Sequence, residues 1–391
     1  MHPFTYYSPT EVVFGPHTEE KAGEYVTKYG GSRVFVVYGG GSAVRSGLLD
    51  RVTQALTGAN LAVETFGGAK PNPTLAHARE GVKKALAFGA DFVLAVGGGS
   101  TIDTAKAIAH GVANPERDIW AFWSREAVLE RSTPIGAILT ISAAGSETSN
   151  SAVLTNEELP RKRGLSTDLN RPKFAILNPE LTFTLPPYQI ACGIVDIMMH
   201  TLDRYFQPVD NALTDALAEA LLRTVIDQGR RAMQDSHDYE AMSELMWAGS
   251  LSHNGLTGLG GPGDWAVHQL GHELSARFDV AHGASLAAVW GSWAEYVSAQ
   301  HPERFARYAR AVWGVSAQED AQAAREGIRA TVDYFASLGM PTSLGPCVGI
   351  QTQETCADLA YHCAYEGKRT IGSLQVLAQE DICRIYEAAN H

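Results

Sequence analysis

The sequence predicts two domains of different class, an α/β domain over residues 1–185 and an all-α domain over residues 186–391. The length of 391 residues exceeds what a single hydrophobic core usually serves. Short apolar runs alternate with helical patterns in the first half, whereas the second half contains helical patterns alone. Pro186 and Pro187 lie between the halves and mark a boundary, because proline fixes φ and ends regular elements.

Apolar runs that end in glycine clusters or in Asn-Pro predict the strands of the first domain. They occupy residues 33–38, 62–66, 91–96, 134–141 and 174–177. Helical patterns such as 74–88 lie between them. Strands that alternate with helices form a parallel sheet covered on both faces. We therefore expect ligands at the carboxyl ends of the strands, where the glycine clusters fall.

The second domain is predicted to be helical throughout because its apolar residues recur with the period of a helix. The predicted helices cover residues 188–206, 210–233, 238–254, 264–277, 283–299, 302–313, 319–338 and 376–390. Residues 365–374 include Gly367 and Gly372 and are predicted to form a loop.

Composition excludes several classes of partner. The chain carries 43 acidic and 31 basic side chains, a net charge of −12, which disfavours nucleic acid and anionic membranes. No run of 18 apolar residues is present, and the first residues do not resemble a signal peptide. Five cysteines without a CxxC motif argue against a disulfide framework and fit a reducing compartment. We expect a cytoplasmic homodimer that acts on a small molecule, with no nucleic acid or membrane partner.

Two clusters of potential metal ligands are the most informative feature of the chain. Asp196 and His200 are four residues apart, so on a helix they share one face with Cβ atoms ~6 Å apart. His268, His272 and His282 fall within fifteen mostly apolar residues. One carboxylate with imidazoles suits a divalent transition metal better than calcium or magnesium. The alternative is a set of core histidines, each of which would need a partner for every buried ring nitrogen.

Two glycine-rich turns predict a phosphate-bearing cofactor. Residues 97–100 read Gly-Gly-Gly-Ser and join a strand to a helix, whose first amides and dipole favour a pyrophosphate. The GxGxxG fingerprint is absent, but residues 39–42 form a second such turn. This second turn lacks an acidic residue and is followed by Arg45, which favours NADP(H) over NAD(H). A simple tight turn with a solvent-facing arginine is the alternative.

Several motifs in order resemble the iron-containing (group III) alcohol dehydrogenase family, from Tyr7 to Tyr386. Within that family the closest resemblance is to the NADPH-dependent aldehyde reductase and butanol dehydrogenase subgroup. The motifs are Pro-Asn-Pro at 71–73, GlyGlyGlySer-x-x-Asp at 97–103, Gly-Ser-Glu at 145–147, Leu-Pro-Pro at 185–187, Asp196-x3-His200 and His268-x3-His272-x9-His282.

The resemblance implies a Rossmann-like dinucleotide-binding domain, a helical metal-binding domain and a role for each matching residue. The metal, Fe²⁺ or Zn²⁺ with a mild preference for iron, would be held by Asp196, His200, His268 and His282. The cofactor would be lined by Gly40, Gly41, Ser42, Gly98, Gly99, Ser100, Asp103, Thr140, Lys162 and Thr184. His272 would lie beside the nicotinamide and the substrate as a catalytic residue, and Asp103 with Lys162 would order the nicotinamide ribose.

The implied activity is reversible hydride transfer between NADP(H) and primary alcohols or aldehydes, with His272 relaying a proton. An NAD-dependent polyol dehydrogenase or a dehydroquinate-synthase-like lyase of the same superfamily is the alternative. The lyase needs a basic pocket, whereas residues 246–282 offer mostly Gly, Trp and Leu. A metallohydrolase or non-catalytic metalloprotein is a third hypothesis, but the chain has no HisGluxxHis motif and the glycine turns would then be unexplained.

Overall fold

A computed structural model describes residues 2–159 and 161–391 and divides the chain into two compact units. The first unit comprises Tyr7–Leu185 and Gly249–Asn254. The second comprises residues 2–6, Pro186–Ala248 and Gly255–His391. A single boundary before Pro186 would place residues 2–6 in the first unit and Gly249–Asn254 in the second. The structure assigns each of these two segments to the opposite unit.

The first unit is built on a parallel sheet, as the sequence predicts. Its strands are β1 (Glu11–Phe14), β2 (Arg33–Tyr38), β3 (Ala62–Phe66), β4 (Phe92–Gly97) and β5 (Ile135–Leu139), followed by a small antiparallel pair, β6 (Ser151–Asn156) and β7 (Arg161–Ser166), and by β8 (Phe174–Leu177). In the described part of the chain the large sheet has six strands in the order β1-β8-β5-β4-β2-β3. All of its paired strands are parallel.

The five predicted strands are confirmed within two residues at each end, but three strands were not predicted. β1 contains four residues, too few to show a period. β7 reads Arg-Lys-Arg-Gly-Leu-Ser, which lacks the apolar alternation that identifies a strand. The 151–166 pair therefore forms through contacts that the sequence pattern does not show.

Helices cover the sheet of the first unit on both faces. They are α1 (Ala22–Lys28), α2 (Ser42–Arg45), α3 (Leu48–Gly58), α4 (Leu75–Phe88), α5 (Gly99–Ala113) and α6 (Trp120–Trp123), with 3-10 turns at Thr18–Lys21, Asp168–Asn170 and Pro179–Thr182. Glycines let α4 and α5 approach closely. A Cβ on Gly81 would lie 2.3 Å from Ile108 Cδ1, and one on Gly111 would lie 2.3 Å from Val82 Cγ2.

The direction in which the chain crosses the sheet reverses between β2 and β4. From β2 the chain moves to β3 on one side and then returns to β4 on the other. Parallel strands that diverge in this way leave a crevice at their carboxyl ends, which is the usual ligand site of such sheets. The turns at 39–42 and 97–100 follow these two strands.

The second unit consists of helices in the described ranges. They are α7 (Pro187–Tyr205), α8 (Ala212–Gln234), α9 (Tyr239–His253, of which the residues up to Ala248 belong here), α10 (Ala266–Phe278), α11 (His282–Ser298), α12 (Pro302–Trp313), α13 (Asp320–Ser337), α14 (Leu344–Val348), α15 (Gln353–Cys363) and α16 (Gln379–Ala388), with a 3-10 turn at Leu256–Gly258.

The eight helices predicted after residue 186 are confirmed, and α14 and α15 were missed. The start of α15 has a residue that the sequence could have identified as a cap. Thr352 is the N-cap residue, and its side chain accepts a hydrogen bond from the Thr355 amide. No helix within the described ranges combines the length and the hydropathy needed to cross a bilayer.

Two glycines bring α7, α10 and α11 into close contact. A Cβ on Gly283, at the start of α11, would lie 2.2 Å from the Cys192 carbonyl oxygen of α7. A Cβ on Gly271, in α10, would lie 2.8 Å from Leu286 Cδ2 and 3.0 Å from Ser285 Oγ in α11. These separations are far below van der Waals contact, so a side chain at either position would push the helices apart.

We expect Gly283→Ala to destabilise the protein by about 1–3 kcal/mol, because the added methyl group meets rigid backbone. Gly58→Ala is the control, since a Cβ at Gly58, the last residue of α3, meets nothing within 4 Å. That control should be neutral or slightly stabilising. Thermal unfolding of both variants tests this. An unchanged melting temperature for Gly283→Ala would show that α7 and α11 are not constrained at this contact.

Candidate functional site

The predicted metal ligands of the second unit converge on one carboxylate oxygen. Asp196 Oδ1 lies 3.3 Å from His200 Nδ1 on the same helix, α7. It lies 3.8 Å from His268 Nε2 of α10 and 3.8 Å from His282 Nε2 at the first residue of α11. Residues 72 positions apart in sequence (Asp196 and His268) thus meet through the packing of three helices.

These separations fit a shared metal ion. Two ligand atoms about 2.0–2.2 Å from one ion at a tetrahedral angle lie ~3.4 Å from each other. Asp196, His268 and His282 offer ligand atoms that all lie within 4.8 Å of one another. Asp196 Oδ1 and His268 Nε2 are buried and have no hydrogen-bond partner among the described residues. Leaving buried polar atoms unsatisfied is costly, and a cation would satisfy both at once.

The charges around His268 also favour a cation. Burial by itself lowers the pKa of the His268 imidazole, but the carboxylates of Asp203 and Asp196 raise that pKa to about 9. His268 is 4% exposed, as is Asp196, and His200 is 5% exposed. These three side chains are therefore almost fully buried, whereas the His282 side chain is 25% exposed. The carboxylates of Asp196 and Asp203 bring negative charge into the cluster, which a divalent cation would neutralise.

Asp203 is the functional residue that sequence reasoning missed. It is 1% exposed, and its Oδ2 lies 2.5 Å from His268 Nδ1. An ionised carboxylate only accepts hydrogen bonds, so Nδ1 donates and Nε2 faces Asp196. A signal was available in the sequence, because Asp196, His200 and Asp203 lie at i, i+4 and i+7 and share one face of α7.

His272 lies beside the cluster. It is one turn beyond His268 on α10, with its ring centroid 6.2 Å from that of His268. It stacks on His282 with centroids 5.3 Å apart. The structure thus places His272 next to the predicted ligands, on the side of His282.

In the first unit, the turn after β2 is open and carries a guanidinium. A Cβ on Gly40 would meet nothing within 4 Å. Gly41 has φ +103°, and a Cβ there would lie 3.2 Å from Arg45 Nη1. Ser42 begins α2. The absence of side chains and the position of Arg45 leave room for an anionic group at this turn.

The turn after β4 leads directly into α5. Gly99 is the first residue of α5, and a Cβ on Gly98 would lie 2.2 Å from Ile141 Cγ2. A Cβ on Gly99 would lie 2.9 Å from Ala144 Cβ. Ser100 follows in the first turn of α5. The amides of Thr101 and Ile102 donate to the Gly98 carbonyl, whereas those of Gly99 and Ser100 precede the first bond of the helix. This combination of closely approaching backbone and amides is suited to a phosphate.

The other predicted cofactor residues lie on other segments of the first unit. Thr140 follows β5, and its amide donates to the Gly97 carbonyl over 3.2 Å. Lys162, on β7, donates through Nζ to Asn72 Oδ1 over 3.0 Å. Thr184 is exposed and follows the 3-10 turn Pro179–Thr182.

Both carboxylate oxygens of Asp103 are engaged with the chain. Oδ1 accepts from Ser146 Oγ over 2.6 Å, and Oδ2 accepts from the Val153 amide over 2.8 Å. Burial raises the pKa of Asp103, against the opposing effects of Lys106 and of these hydrogen bonds. Asp103 therefore joins α5 to the segment after β5 and to β6.

Lys106 is a second residue whose role the sequence did not show. It is fully buried, and its Nζ lies 3.9 Å from Asp103 Oδ1. It donates to the carbonyl and hydroxyl oxygens of Ser146, each over 2.8 Å, and to the Ser151 carbonyl over 2.7 Å. Burial lowers its pKa to about 8. Lys106 thus orders the segment between β5 and β6.

Comparison with known proteins agrees with this arrangement. Residues 9–179 match the family profile described as "Iron-containing alcohol dehydrogenase". Residues 190–390 match the profile of the C-terminal part of the Fe-containing alcohol dehydrogenase family.

Individual relatives cover the whole chain. NADH-dependent butanol dehydrogenase A of Clostridium acetobutylicum is 42% identical over 99% of both chains. NADPH-dependent aldehyde reductase YqhD of Escherichia coli is 35% identical over 100% of both. The crystal structure of NADH-dependent butanol dehydrogenase A from Thermotoga maritima superposes with a TM-score of 0.96 at 35% identity, covering 100% of this chain and 99% of the other. The chain belongs to the iron-containing alcohol dehydrogenase family and is an oxidoreductase of the alcohol dehydrogenase and aldehyde reductase kind.

Proposed function

We propose that Asp196, His200, His268 and His282 hold one divalent metal ion, Fe²⁺ or Zn²⁺. The observation that carries this proposal is the convergence of three imidazole nitrogens within 3.3–3.8 Å of Asp196 Oδ1. A metal bound there would act as a Lewis acid on the oxygen of an alcohol or aldehyde. The four side chains would hold the ion in a buried setting, where its charge acts strongly on a neighbouring oxygen.

A nicotinamide dinucleotide is the second proposed ligand, and it would supply the hydride. The open turn at Gly40, Gly41 and Ser42 and the start of α5 at Gly98, Gly99 and Ser100 support this proposal. They follow neighbouring parallel strands at the point where strand order reverses. Thr140, Lys162 and Thr184 stay predicted contacts. For Asp103 we propose an indirect role, because its oxygens already hold Ser146 and Val153.

The proposed substrates are primary alcohols and aldehydes. The relatives that support this class are named for butanol and for aldehydes. A panel of aliphatic and aromatic aldehydes with NADPH and with NADH, together with elemental analysis of the purified protein, tests the proposal. Activity should disappear on chelation and return with Fe²⁺ or Zn²⁺. A metal-free protein that turns over aldehydes at full rate would refute it.

The homodimer expected from the sequence stays a prediction.

His268→Ala tests the ligand set directly. We expect most of the metal to be lost, because three remaining ligands bind more weakly and Asp203 is left buried beside a cavity. Metal content per chain, measured after dialysis against a weak chelator, gives the answer. Normal occupancy would remove His268 from the set. His237→Ala is the matched control, since the His237 side chain is 69% exposed.

NADP(H) is the proposed preference, and it rests on the turn after β2. That turn contains no acid, and Arg45 lies against Gly41. The names of relatives do not choose between the cofactors, because both NADH-dependent and NADPH-dependent enzymes are among them.

Gly40→Asp should reverse or erode the preference for NADPH. A carboxylate there would bind the ribose hydroxyls of NADH and repel the 2′-phosphate of NADPH. Position 40 is preferable to 41, because Gly41 has a positive φ that strains any side chain. We expect the ratio of kcat/KM values to move toward NADH by roughly tenfold or more, about 1.4 kcal/mol. A wild-type enzyme that already prefers NADH would contradict the proposal before any variant is made.

His272 is proposed to pass the proton between substrate and solvent. Its position beside His282, one turn from His268, supports this role. His272→Ala should keep its metal and its fold but lose roughly 100-fold or more in kcat, with a flatter pH profile near neutrality. Loss of metal would make His272 a ligand. Full activity would limit it to packing.

A further inference from the structure

The contact between Asp203 and His268 joins two helices at the proposed metal site. Asp203 lies on α7, and its carboxylate meets Nδ1 of His268 on α10, 65 residues away in sequence. Both side chains are almost fully buried, at 1% and 4% exposed. This hydrogen bond, together with the rings that pack around it, fixes the rotation of the His268 ring.

The contact also determines which nitrogen of His268 is available. Because Asp203 accepts this hydrogen bond, Nδ1 keeps its proton, and Nε2, which faces Asp196 Oδ1 over 3.8 Å, is the nitrogen that would bind an ion. A carboxylate behind an imidazole increases the electron density on the opposite nitrogen and strengthens it as a ligand. The carboxylate of Asp203 makes this contact with His268, so His268 is the imidazole that this effect concerns.

The burial of the Asp203 carboxylate lowers the stability of the fold, so its presence indicates a functional role. Its carboxylate shares a buried region with two other acids, Asp196 and Asp264. Burial and the charge of Asp203 raise the pKa of Asp264 to about 6, which reflects repulsion between the two carboxylates. A third buried acid in such a place lowers stability, because each charge loses its hydration.

We propose that Asp203 is a positioning residue that sets the affinity of the metal site through His268. It holds the imidazole with Nε2 directed at the ion and adds one negative charge outside the ligand shell. The proposal rests on the proposed metal site and deepens it. Asp203 itself does not touch the ion or the substrate.

Asp264 provides a matched control within the same region. It is 4% exposed and directly precedes Trp265, at the start of α10. Its Oδ1 accepts from the Ala266 amide over 3.1 Å, and its Oδ2 accepts from the amides of Ser373 and Leu374 over 2.8 and 2.9 Å. Asp264 thus contacts backbone amides, whereas Asp203 contacts an imidazole.

The experiment compares metal affinity in the full-length wild type, Asp203→Asn, Asp203→Glu and Asp264→Asn. Each protein is stripped of metal and titrated with Zn²⁺ against a chromophoric chelator, and with Co²⁺ to record the visible spectrum. We expect Asp203→Asn to bind Zn²⁺ about 10- to 100-fold more weakly and to shift the Co²⁺ bands. Asp203→Glu should recover part of the affinity because it keeps the charge. Asp264→Asn should bind like the wild type.

Folding is separated from binding by the melting temperatures of the metal-free proteins. Asparagine has the shape of aspartate and keeps an oxygen that accepts from His268 Nδ1, so the metal-free Asp203→Asn should fold, with a melting temperature at or below that of the wild type because the buried imidazole loses its charged partner. If Asp203→Asn does not fold, the test uses Asp203→Glu, in which the carboxylate is displaced. A Zn²⁺ affinity and a Co²⁺ spectrum equal to those of the wild type would then refute the proposal.

The remaining outcomes are distinct. If the wild type binds no metal, the proposed function fails. If the wild type binds and Asp203→Asn binds equally well with an unchanged Co²⁺ spectrum, only the role of Asp203 fails. Equal weakening in Asp203→Asn and Asp264→Asn would show that the effect is a general property of the buried acids, and the specific role would be overturned.

Discussion

The meeting of α7, α10 and α11 around one carboxylate oxygen is the constraint on which the helical unit depends. An aspartate and a histidine are short or medium side chains, so ligand atoms 3.3–3.8 Å apart require backbones in close approach. Gly283 and Gly271 permit that approach, since a Cβ at either would clash with the neighbouring helix. The lack of a side chain at Gly283 and Gly271 therefore accounts both for the close packing of the helices and for the short distances between the ligand atoms.

The same region concentrates buried negative charge. Asp196, Asp203 and Asp264 are each 4% exposed or less, and within the described ranges the ion-pair partners of Asp196 and Asp203 are imidazoles. Such surroundings favour positive charge, and the same carboxylates raise the pKa of His268. The site departs from the usual rule that cores are apolar, which is typical of places where function outweighs stability.

The first unit contains a second buried network, which holds the segment between β5 and β6. Lys106 and Asp103 lie within one turn of α5 and bind Ser146, Ser151 and Val153 between them. The buried ammonium is satisfied by several oxygens at once, which offsets the cost of its burial. Loops that would otherwise be mobile are thereby fixed beside the glycine turns.

The sequence alone determined what depends on local period and spacing. The five main strands, the glycine turns after β2 and β4, the helices from Pro187 onward and the pairs Asp196/His200 and His268/His272 follow from periods of 2 and 3.6 residues. The tertiary structure decided what depends on distant contacts. Only packing shows that Asp203 meets His268, that Lys106 binds the segment after β5, and that the charged residues of β7 pair with β6. These contacts join residues whose separation in sequence bears no relation to any helical or strand period, so no pattern along the chain records them.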